Sequence, residues 1–569
     1  MTSIQKFLAL KNLGISEFEK KNYLACIGHL NKAYKFDRSD KEVVEFLAVA
    51  LLELNLYKEA LEKIAILISL DKNNPIIFYN QGNAFYGLGK FNSAIDSFTK
   101  SIQLGLKHPD VYSNRALSYF SIEKIDKAIL DYQIAAELNP LDLEITFNLG
   151  QCFYQKNDLK NAINKFNDCI SINPKHLPSI NARGLTWVDL CDYEAALSDF
   201  NECIEIDPSY IKAYTNLSVL LRLLKKNDKS ECIANKGLKL CPENNELKFN
   251  LSLIKLSEGK YREGFLLYES RLKFIKEKSK QFNNRSKLWI GQPLENKKIY
   301  VYSEQGLGDT IQFSRFIFEL NKRGALVIFE VQNELFSLLL QFQSEFIKIV
   351  KTGYLESYDY YISLMSLPFY LEIDINSLPK CSSYIYADSR KKDYWEKRIA
   401  INKKFKIGVV WSGGFRNDRD IWYTNLKRNI ELKFFEPLAA FDGIEFYSLQ
   451  KGFQAKSELV LLESANWDGP KIIDYTEDLN DFSDTAALID NLDLVISADT
   501  SVAHLSGAMG KATWILNRYE TCWRWLDDRR VDSPWYYSVK LFRQPMLKDW
   551  KSVINEVFNE LSKLTSSNN

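Results

Sequence analysis

Three short segments concentrate residues able to do chemistry on a polar substrate: "EQGLGDT" (304–310), "WSGG" (411–414) and "ADTSVAH" (498–504). In the first, Gly306 and Gly308 allow close backbone approach or a positive φ, and Asp309 stands where a helix begins and its orphan N–H groups point outward. A carboxylate there can take a proton from a hydroxyl. It can equally cap the helix, since Asp309 with Gln312 matches a D-x-x-Q variant of the capping box. In the third segment, Thr500 and Ser501 put hydroxyls beside the free N–H groups of a helix start, which suits a diphosphate; an N-cap cluster explains the same pattern. His504 is placed either to pair with Asp499 or to serve as a buried structural residue. Arg416, Arg419 and Arg428 follow "WSGG", and a guanidinium there can grip phosphate with two parallel N–H groups.

Two other chemistries fit less well. Gly306 and Gly308, with Glu330 further on, resemble part of a dinucleotide fingerprint, but Ile311 stands where a third glycine is needed for helix–strand packing. "DRD" (418–420) has the form of a metal-binding pair of aspartates, but the intervening arginine opposes a cation, so no metal is expected. Trp523 and Trp525 offer rings for stacking on a base or sugar, or for packing.

The elements that must position these loops are strands. "KKIYVYS" (297–303) and "LVIFEV" (326–331) read as buried strands around a helix with Phe313, Phe316, Ile317 and Leu320 on one face, ending at Gly324. A second series runs through "FKIGVV", "IEFYSLQ", "KIIDY", "LDLVISA" and "KATWILN", and a closing helix carries Ile554, Val557, Phe558 and Leu561 on one face. Strands alternating with helices predict two parallel sheets, with ligands at the carboxyl ends of the strands.

The first half is periodic instead. Gly82, Ala116, Gly150, Gly184, Ser218 and Ser252 recur every 34 residues, as do Ala60, Ala94, Ala128, Ala162 and Ala196, and Pro140, Pro174, Pro208 and Pro242. A 34-residue period of paired amphipathic helices resembles the tetratricopeptide repeat, about seven units over residues 8–272, whose groove suits a protein partner or serves as a spacer.

Composition sets the remaining bounds. With 74 Lys plus Arg against 73 Asp plus Glu, the net charge of +1 gives no general case for nucleic acid or an anionic membrane, so an anionic ligand must be held locally. No apolar run approaches the length of a membrane span and the start lacks a leader pattern, which predicts a cytoplasmic protein. Seven of the nine cysteines lie in the first 250 residues without C-x-x-C spacing, as expected for buried free thiols.

In order, "WIGQPLENKKIYVYSEQGLGDTIQFSRF", "GVVWSGG", "RNIEL", "DTAALIDNLDLVISADTSVAHLSGAMGK" and "DSPWYYSVKLFRQP" resemble the repeat proteins whose C-terminal region is related to lipopolysaccharide heptosyltransferases, glycosyltransferase family nine. The resemblance covers residues 289–545 and implies a fold of class α plus α/β: a repeat solenoid followed by a GT-B pair of Rossmann-like domains. The expected domains are residues 1–272 (repeats), 273–296 (linker), 297–400 (acceptor side) and 401–569 (donor side with the closing helix). It implies metal-independent, inverting transfer of a sugar from a nucleotide-sugar donor to the hydroxyl of a glycan or protein acceptor, without a cofactor, the repeats recruiting acceptor or partner. By matching positions it implies Asp309 as base beside Gly306 and Gly308, and Trp411, Gly413, Arg428, Asp499, Thr500, Ser501 and His504 as substrate contacts. The chain has Asp-Thr-Ser where heptosyltransferases have Asp-Thr-Gly, and "RDIWYTNLK" (419–427) intervenes before Arg428. Two alternatives stand beside this: an interaction scaffold with an inactive transferase-like domain, and a protein O-glycosyltransferase like the eukaryotic O-linked N-acetylglucosamine transferases.

Overall fold

The computed structural model describes residues 2–274, 284–354, 356–379, 382–399, 403–414, 427–465, 467–526 and 530–566. The chain falls into two compact units, Met1–Leu217 and Ser218–Asn569. Sixteen helices between Ser3 and Tyr268 form eight hairpins, one more than the roughly seven units expected, because residues 8–272 already span nearly eight periods of 34 and the degenerate end units fold as full hairpins. No helix among the described residues is long and apolar enough to cross a membrane.

In the first unit the small residues of the period have a steric cause. A Cβ on Gly82, Gly150 or Gly184 would lie 2.4, 2.7 or 2.6 Å from a ring carbon of Phe98, Phe166 or Phe200, rings that are fully buried. A methyl group would have to displace a packed ring from the facing helix. The turn inside each hairpin carries a left-handed residue at the same spacing: Lys21, Asn55, Gly89, Glu123, Asn157 and Cys191 here, and Lys225 and Gly259 in the second unit, with φ from 56° to 76°.

The second unit contains two parallel sheets. The first has strands β1 (Lys298–Tyr302), β2 (Leu326–Val331), β3 (Ile347–Lys351) and β4 (Tyr360–Ser363), in the order β3-β2-β1-β4. The second has β5 (Phe405–Val410), β6 (Ile444–Ser448), β7 (Ile472–Asp474), β8 (Leu494–Ala498), β9 (Thr513–Asn517) and β10 (Val539–Arg543), in the order β10-β9-β8-β5-β6-β7. Counted from its own first strand, the second sheet has the doubly wound order 3-2-1-4-5-6, and the first sheet has the four-strand part of it. The order reverses between β1 and β4 and again between β5 and β8. Those two crevices, at the carboxyl ends of the strands, are where such sheets take ligands. The sequence reading finds β1, β2 and β5–β9 but not β3, β4 or β10.

One apolar core joins the last helical hairpin to both sheets. Tyr261, Phe265 and Tyr268 pack with Phe313, Trp523 and Trp535, the Tyr261 ring stacked 5.7 Å from Trp535 and the Phe265 ring edge-on 5.8 Å from Trp523. The period ends near residue 272, but packing does not divide there. Residues 275–283 of the expected linker lie outside the described residues; beyond them, Trp289 is fully buried and its backbone N–H donates to the Tyr361 carbonyl at 3.0 Å, so this part belongs to the core.

Candidate functional site

The loops after β1, β5, β8 and β9 enclose a cleft of about 600 Å³. Gly306, Gly308, Asp309, Arg428, Asp499, Thr500, Ser501 and His504 all line it, although they come from segments up to 198 residues apart. Gly308 is where the two sheets' loops meet: a Cβ there would lie 2.9 Å from the His504 ring and 3.3 Å from Ser501 Cα. Its small size, rather than a left-handed backbone, lets the helices Leu307–Phe313 and Ser501–Ala508 approach by their N-terminal ends.

Asp309 is the third residue of its helix, not the cap; Gly306 holds that position, and Asp309 Oδ2 accepts the Gly306 N–H at 2.9 Å. Its other oxygen, Oδ1, is ion-paired with Arg524 Nη2. The D-x-x-Q box therefore does not form, because the helix starts before Asp309 and the buried Gln312 side chain faces Arg524, its Oε1 accepting from Nε at 2.6 Å. Arg524 also lies over the Trp523 ring at 4.4 Å. Burial opposes its charge more than any single neighbour favours it, but Asp309, Cys522 and Tyr268 together outweigh burial and hold it firmly protonated.

Across the cleft, Thr500 caps the helix Ser501–Ala508 by position, yet among the described residues no side chain accepts the helix's first N–H groups; the Thr500 hydroxyl lies 3.1 Å from Ser497 Oγ instead. The capping cluster read as an alternative is thus not made. Arg428 donates from Nη1 to the Asp499 carbonyl at 3.3 Å, and its guanidinium occupies the space a Gly413 side chain would fill, within 2.1–2.4 Å of an ideal Cβ. Gly413 serves as the bed for Arg428, and Gly414 lines the cleft in its place. Arg518, directly after β9, adds a further guanidinium, with Nε donating to the Glu520 carbonyl at 3.1 Å.

Several expectations change. His504 does not pair with Asp499: its Nδ1 lies 2.9 Å from the Tyr536 hydroxyl and its ring stacks on Trp525 at 5.3 Å. Burial, partly opposed by Asp499, pushes its pKa down to about 4, so the ring is neutral near pH 7. Trp411 is not at the cleft; it is 1% exposed in a core behind β5, and its Nε1 donates to Glu458 at 2.9 Å. Trp523 and Trp525 are buried packing residues. Glu330 is buried and accepts from the Tyr300 hydroxyl at 3.0 Å, which keeps it from a ribose. Arg416, Arg419, "DRD" and nearly all of the 419–427 insertion lie outside the described residues.

Sequence reasoning missed Glu304, Gln305, Arg518, Cys522 and Arg524, all lining the cleft. Arg518 was findable, since it follows a recognised strand at its carboxyl end. Nothing local marks Arg524, which reaches Asp309 across 215 positions of sequence.

Comparison with known proteins recovers the repeats. Residues 113–175 and 178–210 match models of the tetratricopeptide repeat. The chain carries tetratricopeptide repeats. It is 25% identical over 354 residues to Protein FlbA of Caulobacter vibrioides, a match spanning 56% of each chain. It thus covers little more than half of that relative. Among solved structures, YrrB, described as a TPR protein with an unusual peptide-binding site, is 24% identical over 32% of this chain and 95% of its own, with a TM-score of 0.30. PilF of Pseudomonas aeruginosa is 17% identical over 37% of this chain and 96% of its own, with a TM-score of 0.32.

Proposed function

We propose that the cleft is the site of a GT-B-type glycosyltransferase that moves a sugar from a nucleotide-sugar donor to a hydroxyl acceptor, and that the repeats recruit the acceptor or a protein partner. The observation that carries this reading is the convergence of a carboxylate after β1 with an uncapped helix start and two arginines after β5, β8 and β9. The donor diphosphate rests on the Ser501 helix start between Arg428 and Arg518, where N–H groups and guanidinium groups meet the charge that develops as it leaves. The acceptor oxygen bonds to C1 of the sugar from the opposite side while its proton passes to Asp309. The bond from C1 to the phosphate oxygen breaks, the nucleoside diphosphate leaves with the electron pair, and C1 is inverted. A base so placed contributes about 10² to 10⁴ in rate. Extended repeat surfaces commonly bind polypeptide, which supports the recruiting role.

A second reading, an interaction scaffold whose transferase-like domain is inactive, is favoured by one observation: both oxygens of Asp309 are engaged, one by Arg524 and one by Gly306. Thermal-shift screening against UDP-, GDP-, ADP- and CMP-sugars separates the two, since a bound donor raises stability by mass action. Once a donor is found, Arg428→Ala is expected to weaken its nucleoside diphosphate by roughly tenfold or more while leaving the nucleoside nearly unchanged. Equal loss for both would remove Arg428 from phosphate contact.

A further inference from the structure

The crevice of the first sheet, between β1 and β4, is already filled. Arg271 follows the last repeat helix, Tyr261–Tyr268, and its side chain is 3% exposed. All its N–H groups have partners: Nε donates to Glu304 at 2.8 Å, Nη1 to the Tyr268 carbonyl at 3.2 Å and Glu269 at 2.7 Å, and Nη2 to Ser363 at 3.3 Å and Ser366 at 2.8 Å. One guanidinium thus ties the end of the repeats to the loop after β1 and to the end of β4.

Glu304 and Gln305 directly precede the Gly306–Asp309 turn. The Glu304 side chain has no exposed surface, and its second oxygen, Oε2, is buried without a hydrogen-bond partner among the described residues, so Arg271 supplies the compensation for this carboxylate. Gln305 donates from Nε2 to the Tyr268 hydroxyl at 3.1 Å, a second hold by the same hairpin. At the next residue the Gly306 N–H fixes Asp309.

We infer that Arg271 is a positioning residue, contributed by the end of the repeat region, that sets the loop carrying Asp309 through Glu304. This rests on the transferase reading above. It makes the terminal hairpin part of the cleft's construction, since Arg271 and its counter-ions occupy the first crevice. Misplacement of a reacting group by about 1 Å can cost on the order of a hundredfold in rate without touching ligand contacts elsewhere.

The test uses the full chain and the nucleotide sugar, among UDP-, GDP-, ADP- and CMP-sugars, that most stabilises the wild type. Donor turnover and the Kd of the matching nucleoside diphosphate are measured for Arg271→Ala, with and without millimolar guanidinium. Arg271→Ala is expected to lose about tenfold or more in turnover with the diphosphate Kd within about twofold, and guanidinium is expected to restore part of the loss without stimulating the wild type. Should the alanine variant fail to fold, Arg271→Lys and Glu304→Gln keep the volume and are expected to show the same split. Unchanged turnover overturns the inference, as does a loss of turnover matched by equal losses of diphosphate affinity and Tm in every variant. A wild type that turns over no donor sinks the transferase reading, and this inference with it; an active wild type with unaffected Arg271 variants sinks only the inference.

Discussion

The two crevices of the second unit share a topology and differ in what fills them. Between β1 and β4, Arg271 is surrounded by Glu304, Glu269 and two serines, and the protein's own ion pairs occupy the place where a ligand would sit. Between β5 and β8, Arg428 lies half-buried over Gly413, on the wall of an open cleft beside a helix start that no described side chain caps. The same strand order therefore does two jobs. A crevice closed with buried charges holds a loop in place, whereas one lined with half-buried arginine and N–H groups can take an anion.

The comparison breaks most severely if the first crevice is emptied from the repeat side. A fragment beginning at residue 285 loses Tyr261, Phe265, Tyr268 and Arg271. Three buried aromatic rings at about 2 kcal/mol each, plus about 3 to 5 kcal/mol for a broken buried ion pair, are comparable with the whole stability of a domain. Such a fragment is expected to be aggregated or molten by near-UV circular dichroism, whereas one beginning at Pro208 folds and binds nucleoside diphosphate. A cooperative unfolding transition in the shorter fragment would show that the first crevice needs no staple.

The next effect lies where the two crevices face each other. Asp309→Asn keeps an oxygen for the Gly306 N–H but leaves Arg524, 9% exposed, opposite a neutral amide. Turnover is expected to fall by about 10² or more, and stability by up to about 3 kcal/mol, while diphosphate affinity stays. Full activity in this variant would remove Asp309 from the mechanism and leave it as a structural counter-ion.

Acid reads the seam between the loops. His504, packed against Gly308, has its pKa pushed from 6.5 down to about 4, chiefly by burial and against the opposing pull of Asp499 and Asp309; Arg524 and Arg315 act in the same sense as burial. The unfolded chain takes up the proton first, so stability from this group is full above about pH 6.5 and is lost as pH falls toward 4, at no more than about 1.4 kcal/mol per pH unit. Urea midpoints followed from pH 7 to 4.5 are expected to drop less steeply in His504→Gln than in the wild type. Parallel slopes would mean that His504 is not the group being protonated.

The repeat period, most strands and eight lining residues were legible because each rests on local order: a fixed spacing of small residues, a run of apolar side chains, a loop following a strand. Trp411 misled for the same reason, since adjacency to "WSGG" says nothing about which way a side chain is buried. Arg271, Arg518 and Arg524 were not proposed. The role of Arg271 exists only once a helix end, two strand ends and a loop from separate segments are brought together, and one arginine on a polar stretch looks like any other. Periodicity marks where a repeat ends, near residue 272, not where its apolar face is buried, and Tyr261, Phe265 and Tyr268 share a core with both sheets.

The smallest effects give the sharpest separation of the two crevices. Ser366 belongs to the closed one, accepting from Arg271 at 2.8 Å and donating to Glu269 at 2.9 Å while 2% exposed. Removing its hydroxyl strands one donor and one acceptor, so Ser366→Ala is expected to cost about 1 to 2 kcal/mol of stability and to leave diphosphate affinity unchanged. Gly413 belongs to the open one, and the nearest atoms a methyl group there meets are those of the Arg428 guanidinium, the far end of a flexible side chain that can swing away. Gly413→Ala is therefore expected to keep the Tm and to weaken nucleoside diphosphate several-fold, short of the loss in Arg428→Ala because the guanidinium is displaced and not deleted. Calorimetric titration and thermal unfolding of the two variants decide it. If Ser366→Ala weakens the diphosphate as much as Gly413→Ala does, the two crevices are one site and the division of labour between the sheets is wrong.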